Sequence, residues 1–316
     1  MDPHSSEPKA RPTAKPTAKP KTSATQAGEE PTATPAGEKD GASRQEGVAE
    51  GERARARERR ERRAHRRRVA VPTLTVACIL AVWQAVVALG IVPNFLLPSP
   101  VQVVYASAAD ASLLAMHSAA TLTEAALGLV IGTAVGFVVA VLMDRFQTVS
   151  LALDPIVTVS QTIPTVAIAP LLVLWFGYGL APKVVLVVIS TFFPITVSLV
   201  GGFRSVDPDL IDLMRTMRAS RWQIFWKVKM PAALDQFFSG LRISATYAIV
   251  GAVIAEWLGG FSGLGVYMTR VRKSFAYDRM FAVIILISVL SLALMGLVDW
   301  LQRIAMPWKR AERKED

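Results

Sequence analysis

After residue 68 the sequence falls into runs of about twenty residues almost free of charge, and this feature decides most of what the chain can fold into. A hydrocarbon core about 30 Å thick is crossed by a helix rising ~1.5 Å per residue, so about 18 or more apolar residues in a row predict a transmembrane helix. Six such runs are present, at about 69–92, 118–143, 155–176, 183–203, 237–258 and 281–301. The expected fold class is all-α, a polytopic membrane protein with six transmembrane helices.

Residues 1–68 contain no apolar run. "RPTAKPTAKPK" and "GEEPTATPAGEKDG" bury too little surface to offset their ordering entropy, which predicts a disordered tail. The tail ends in "RARARERRERRAHRRR" (Arg53 to Arg68) and holds 17 Lys and Arg against 11 Asp and Glu, within a chain of net charge +10. Such a run could face nucleic acid, but its place directly before an apolar helix favours a cytoplasmic, lipid-facing flank. A signal peptide is not expected, because the first apolar segment starts near residue 70 and lacks a small-residue cleavage site.

Orientation follows Lys and Arg. The loop 93–117 has none, whereas 204–235 carries Arg204, Arg215, Arg218, Arg221, Lys227 and Lys229, and the C-terminal "WKRAERKED" is again basic. Six spans then put both termini in the cytoplasm and 93–117 outside. Lys183 falls in the short loop before the fourth helix. The loop 259–280 disobeys the rule, since it belongs outside yet holds Arg270, Arg272, Lys273 and Arg279.

Several chemistries find no residues. Cys78 is the single cysteine, which excludes a disulfide framework, and His4, His65 and His117 are too scattered for a metal site. A G-x-x-x-x-G-K-[ST] phosphate loop is absent, so no ATP site of its own is expected. No paired Asp, or His with Ser or Glu, shares a depth as a membrane-embedded enzyme needs, and no catalytic residues are assigned. Glu124 and Arg242 are read as lying near helix ends, able to snorkel, with Glu256 and Asp299 also toward ends. A secondary transporter, the alternative class, would place carboxylates at the midplane.

Gly128, Gly132 and Gly136 form a four-residue ridge on the second helix, read as a helix-packing face rather than a substrate contact. Gly240, Ser244, Ala248, Ala252 and Ala255 make a similar face on the fifth. Pro164 and Pro170 in the third helix and Pro194 in the fourth free carbonyls and permit kinks along a pathway, or within a static bundle.

One stretch departs from the apolar pattern: "DLIDLMRTMRASRWQIFWKVKMPAAL" (Asp209 to Leu234). Asp207 and Pro208 give an N-cap and a first-turn proline. Leu210, Leu213, Met214 and Met217 then form an apolar stripe at helical spacing. Ser220 to Gln223 reads as a capping box that opens a second short helix. Trp222, Phe225 and Trp226 share one face of it, and Pro231 helps end it. This elbow, 207–231, is either an interfacial helix on anionic lipid or a docking surface for a soluble partner.

"DLMRTMRASRWQIFWKVKMPAAL" resembles the EAA motif of type I ABC importer permeases. Asp212, Leu213 and Met214 stand for its E-A-A, Ala219 and Ser220 follow, and Met230-Pro231 matches the closing apolar-Pro pair. Arg218 stands where the family has its glycine. Over about 93–308, "LPSPVQV", "IPTVAIAPLLVLWFGYG", "FFPI" and "GLRISATYAIVGAVIAEWLGG" are similar to the nitrate/sulfonate/taurine permease group. "SQTIPTVAIAPLLVLWFGYGLAPKVV", with Glu124 and "AEWLGG", looks closest to permeases for pyrimidine thiamine precursors.

The resemblance implies a type I permease fold: a first helix at 69–92, an outer loop at 93–117, a permease core at 118–303 and a cytoplasmic tail at 304–316. It implies no cofactor of the chain's own, ATP being bound by a cytoplasmic ATPase pair docked on the elbow. The other implied partners are a second permease subunit, a homodimer by preference, an extracytoplasmic substrate-binding protein and membrane lipid. The implied place is the inner or plasma membrane.

Overall fold

The computed structural model describes residues 70–307, among which there is no strand. The chain divides into two units, Met1–Pro72 and Thr73–Asp316. Of the first, only Ala70–Pro72 is described. The expectations of a disordered tail, of its arginine run and of the last residues of the C-terminal tail lie outside the described residues.

Among the described residues eleven α-helices follow one another: α1 Ala70–Ala88, then α2 Pro100–Ala109, α3 Ala111–Arg145, α4 Gln147–Ser160, α5 Thr165–Phe176, α6 Leu180–Arg204, α7 Pro208–Thr216, α8 Arg221–Ile224, α9 Met230–Leu258, α10 Leu264–Lys273 and α11 Tyr277–Ala305. α1, α3, α6, the line from α8 through α9, and α11 are each long and apolar enough to cross a membrane. The expected third span is instead two helices, α4 and α5, bent by 100°. Pro164, at φ −62° and ψ 117°, caps α5 at this break. A proline both lacks the donor that would continue α4 and keeps the residue before it out of helical conformation. Pro170 and Pro194 sit inside α5 and α6 without ending them.

Three further boundaries differ from expectation. The loop 93–117 holds α2, opened by Pro100 and by a capping box in which Ser99 Oγ accepts from the Gln102 N–H at 3.3 Å and Gln102 Oε1 from the Ser99 N–H at 2.8 Å. The second span starts at Ala111, directly after Asp110 closes α2. The basic loop 259–280 contains α10, whose Leu264, Val266, Tyr267 and Val271 are buried while Arg270, Arg272 and Lys273 stay exposed.

α3, α6 and α9 form the core. Lipid is as apolar as leucine, so helices in it associate through close backbone approach and shared hydrogen bonds rather than through burial. Gly128, Gly132 and Gly136 of α3 lie against α6: a Cβ would strike Val187 at the first and Thr191 Oγ1 at the second, and would stand 3.0 Å from the Phe192 carbonyl at the third. On the other side of α6, a Cβ at Gly240 would come within 2.8 Å of the Pro194 carbonyl, and Ser244 Oγ donates to the Thr191 carbonyl at 2.9 Å. Ala248 and Ala252 are wholly buried there. α1 is exposed along most of its length, with Trp83 meeting Phe281 of α11 at 5.9 Å between ring centroids.

Candidate functional site

The elbow is built from its caps. Asp207 accepts from the Asp209 N–H at 2.9 Å and Pro208 occupies the first turn of α7. α7 closes with Ala219 N–H bonded to the Met214 carbonyl and Arg218 N–H to that of Arg215, both at 2.9 Å. That pattern places its penultimate residue in the left-handed region, and Arg218 is there at φ +58°. Arg218 thus takes, with a side chain, the conformation that glycine adopts without steric cost. Ser220 Oγ accepts from the Gln223 N–H at 3.2 Å and Gln223 Oε1 from the Ser220 N–H at 2.8 Å, which opens α8.

Pro231 does not end this second helix. The chain runs from α8 through a π turn, Phe225–Lys229, in which the Met230 N–H reaches the Phe225 carbonyl, and on into α9. Pro231 lies in the first turn of α9. A proline cannot donate to the preceding turn and its ring crowds that turn's carbonyls; the wider π turn just before it takes up both demands.

The apolar face of the elbow is uneven. Trp222 is 67% exposed and Trp226 47%, and Leu213 of α7 and Met217 at its C-cap are also exposed. Phe225 is half-buried, stacked on Trp222 at 6.1 Å and packed on Phe203 of α6 at 5.5 Å. The three aromatics therefore do not present one common surface: Phe225 turns toward the bundle. Asp212 is exposed and accepts from Arg215 at 2.9 Å. A groove of about 680 Å³ runs between the elbow, at Ile211, Arg215, Trp222 and Phe225, and the end of α3 at Asp144 and Arg145. Lys229 bonds Asp144 across it at 2.6 Å.

A second polar constellation lies at the opposite end of α9, and sequence reasoning missed it. Glu124, placed near a helix end and free to snorkel, is 4% exposed inside α3, and Lys183, placed in a loop, is 4% exposed in the first turn of α6. They pair at 2.6 Å. Glu256 of α9 accepts from Thr121 Oγ1 at 2.7 Å and from the Gly265 N–H at 2.6 Å. The Leu264 N–H donates to Thr121 Oγ1 at 2.9 Å, and the Gly263 N–H to His117 Nδ1 at 3.0 Å. Four helices and the loop between α9 and α10 are thereby fastened together. Low dielectric strengthens each of these bonds and makes any left unmade expensive.

Just outside, Tyr267 donates to Asp110 at 2.5 Å; burial first and Asp110 second push its phenol up. Arg242, also read as snorkelling, is held by Asp299 at 2.7 Å and Gln302 at 3.0 Å. The sequence did carry a signal: His117, Thr121 and Glu124 fall at i, i+4 and i+7, one polar stripe on an apolar helix. No group of three or more metal-ligating side chains occurs among the described residues.

A bundle of spanning helices that carries a capped elbow at one end of its core is the architecture of a membrane-embedded transport subunit. The chain belongs to the binding-protein-dependent transport system inner membrane components, the family that matches residues 132–305. A probable ABC transporter permease protein of Haemophilus influenzae is 41% identical over 234 residues, 74% of this chain and 96% of its own. The formylaminopyrimidine transport permease of Halalkalibacterium halodurans is 36% identical over 242 residues, 76% and 96% of the two chains. The riboflavin transport system permease of Chloroflexus aurantiacus is 34% identical over 238 residues, 75% and 89%. An amino acid ABC transporter crystallised with histidines shares the fold, with a TM-score of 0.52 at 16% identity over 61% of this chain and 94% of that one.

The fold is that of a type I ABC importer permease, and within the family the chain falls in the nitrate/sulfonate/taurine group. It is the non-enzymatic, membrane-spanning subunit of such an importer, whose ATPase is a separate chain. This decides against a secondary transporter. The chain is a multi-pass protein of the inner membrane.

Proposed function

We propose that the chain imports a small pyrimidine-type compound, a thiamine precursor in preference to a sulfonate, as one of two identical permease subunits. A pair of ATPases docks on the two elbows in the cytoplasm and binds the ATP; a substrate-binding protein delivers cargo to the other side. Both termini then lie in the cytoplasm, and the network around Glu124 and Glu256 lies toward the outside. Gly128, Gly132 and Gly136 serve close helix packing, and Pro164, Pro170 and Pro194 mark where the pathway helices bend.

The observation that carries the coupling is the unbroken helical line from the exposed Trp222 into α9. Closure of the ATPases moves the elbow, and a continuous helix carries that movement into the core. The importer is thus a two-state element biased by a partner that binds one state better. The pyrimidine preference is supported by the match to the formylaminopyrimidine permease over nearly all of that protein's length. The test is uptake in proteoliposomes holding the permease, its ATPase and its binding protein. ATP-dependent accumulation of a formylaminopyrimidine and not of taurine is expected; taurine uptake alone rejects the substrate, and uptake without the ATPase rejects the coupling.

A further inference from the structure

The break between α4 and α5 falls near the middle of the spanning bundle. α5 packs Ala169 and Leu172 into one buried cluster with Leu186, in the second turn of α6, while Asp154 of α4 is held at 2.6 Å by Arg204, the last residue of that helix. Gln161 to Pro164, between those two levels, stand where irregular backbone persists only if protein covers it or water reaches it. Among the described residues nothing covers it: Gln161, Thr162, Ile163 and Pro164 are all exposed.

The polar side chains of the break are unevenly served. Ser160 Oγ donates to the Val157 carbonyl at 2.9 Å and Thr162 Oγ1 to the Val159 carbonyl at 2.7 Å. The Gln161 amide has no partner among the described residues. It carries two N–H donors and an oxygen with two lone pairs, and lipid meets none of them. Successive residues of a helical turn diverge by about 100°, so Ser160, Gln161 and Thr162 point to different sides and no single dry face of a second subunit meets all three. Water does. Asp154 is neutralised by Arg204, which leaves Gln161 as the uncharged group with bonds to offer.

We infer that the break between α4 and α5 lines a water-filled transport pathway and that Gln161 hydrogen-bonds the cargo passing it. An amide that both donates and accepts holds a polar compound without demanding a charge of either sign. The inference deepens the proposed function, since it takes the chain as the pathway subunit of an importer, but it stands whichever compound is carried.

The test uses the complete transporter in proteoliposomes and a charged methanethiosulfonate, which reacts with thiols that water reaches. The chain's single cysteine, Cys78, is exposed in the middle of α1 and serves as the lipid-facing control. With Cys78→Ala as background, Gln161→Cys reacts at least tenfold faster than Cys78 does in the unaltered chain. A formylaminopyrimidine supplied with the binding protein and ATP slows that labelling threefold or more. Thr162→Cys reads the pathway even where Gln161→Cys fails to assemble. Gln161→Leu, close in size and without hydrogen bonds, lowers uptake at saturating binding protein fivefold or more while ATP hydrolysis by the complex is retained; a merely structural role would move both. Labelling of both cysteine variants no faster than that of Cys78 overturns the pathway, whether lipid or the second subunit covers the break, and full uptake by Gln161→Leu overturns the contact. If the unaltered transporter carries no formylaminopyrimidine, the substrate reading alone is rejected, and the labelling rates still decide the pathway.

Discussion

Lys229 Nζ stands 2.6 Å from Asp144 Oδ1, so the π turn at the end of the elbow is fastened to the last turn of α3. Both side chains are largely shielded, at 22% and 15% exposure, and charge-assisted bonds in such places contribute about 1.5–3 kcal/mol. Asp144→Ala should therefore lower stability by about 2 kcal/mol in detergent unfolding, with Asp144→Lys and Lys229→Asp together recovering much of it. A stability unchanged in Asp144→Ala would remove the pair from any role as a strut.

Trp222 and Phe225 are neighbours on the elbow with different surroundings, and the docking proposal predicts that they separate. Trp222→Ala should weaken ATPase association by about 2 kcal/mol, as truncation of an exposed aromatic anchor does, and leave the unfolding midpoint of the free permease in place. Phe225→Ala removes a ring packed on Phe203 and should cost about 3 kcal/mol of permease stability. Pull-down of the ATPase beside thermal unfolding of each variant reads the difference. Unchanged pull-down for Trp222→Ala, together with weaker vesicle association, favours a lipid-surface role.

Arg218 holds φ +58°, a conformation costing a residue with a Cβ about 1–2 kcal/mol. Arg218→Gly removes that strain and, after the entropy that glycine adds to the unfolded chain, should stabilise the turn by up to about 1 kcal/mol. A lower melting point in Arg218→Gly would mean that the guanidinium makes compensating contacts.

The α3–α6 contact can be probed at its glycines. Gly132→Ala places a methyl on Thr191 Oγ1 and Gly128→Ala one on Val187, whereas a Cβ at Gly201 meets nothing within 4 Å. Overpacking of this kind costs about 1–3 kcal/mol. Gly128→Ala and Gly132→Ala should lower the yield of folded permease in size-exclusion chromatography, and Gly201→Ala should not. Equal yields from all three would show that α3 and α6 separate more readily than their packing suggests.

How far this structure could be read from its sequence depended on whether a feature's cause was local. The caps of α7 and α8 were legible because Asp207, Ser220 and Gln223 act within three residues of their partners. The ridge of Gly128, Gly132 and Gly136 showed through its spacing, yet the polar stripe one turn earlier on the same face, His117, Thr121 and Glu124, passed unnoticed against an apolar background. Lys183 reads from the sequence as a loop cation because its partner is 59 positions away, and only the meeting of α3 and α6 buries it. Pro231 misled because a proline just inside a helix and one just beyond it look alike until the π turn before it is seen.

Arg221–Leu258 is 38 residues of helical chain, about 57 Å at ~1.5 Å per residue, with Trp222 near one tip and Glu256 near the other. No loop interrupts the chain between the two ends. On the proposed function, linkage runs in both directions: a change that favours one arrangement of the network around Glu256 alters how tightly the elbow holds the ATPase, by the same factor with which the ATPase biases that network. On that reading the importer is driven and answered through one helical line.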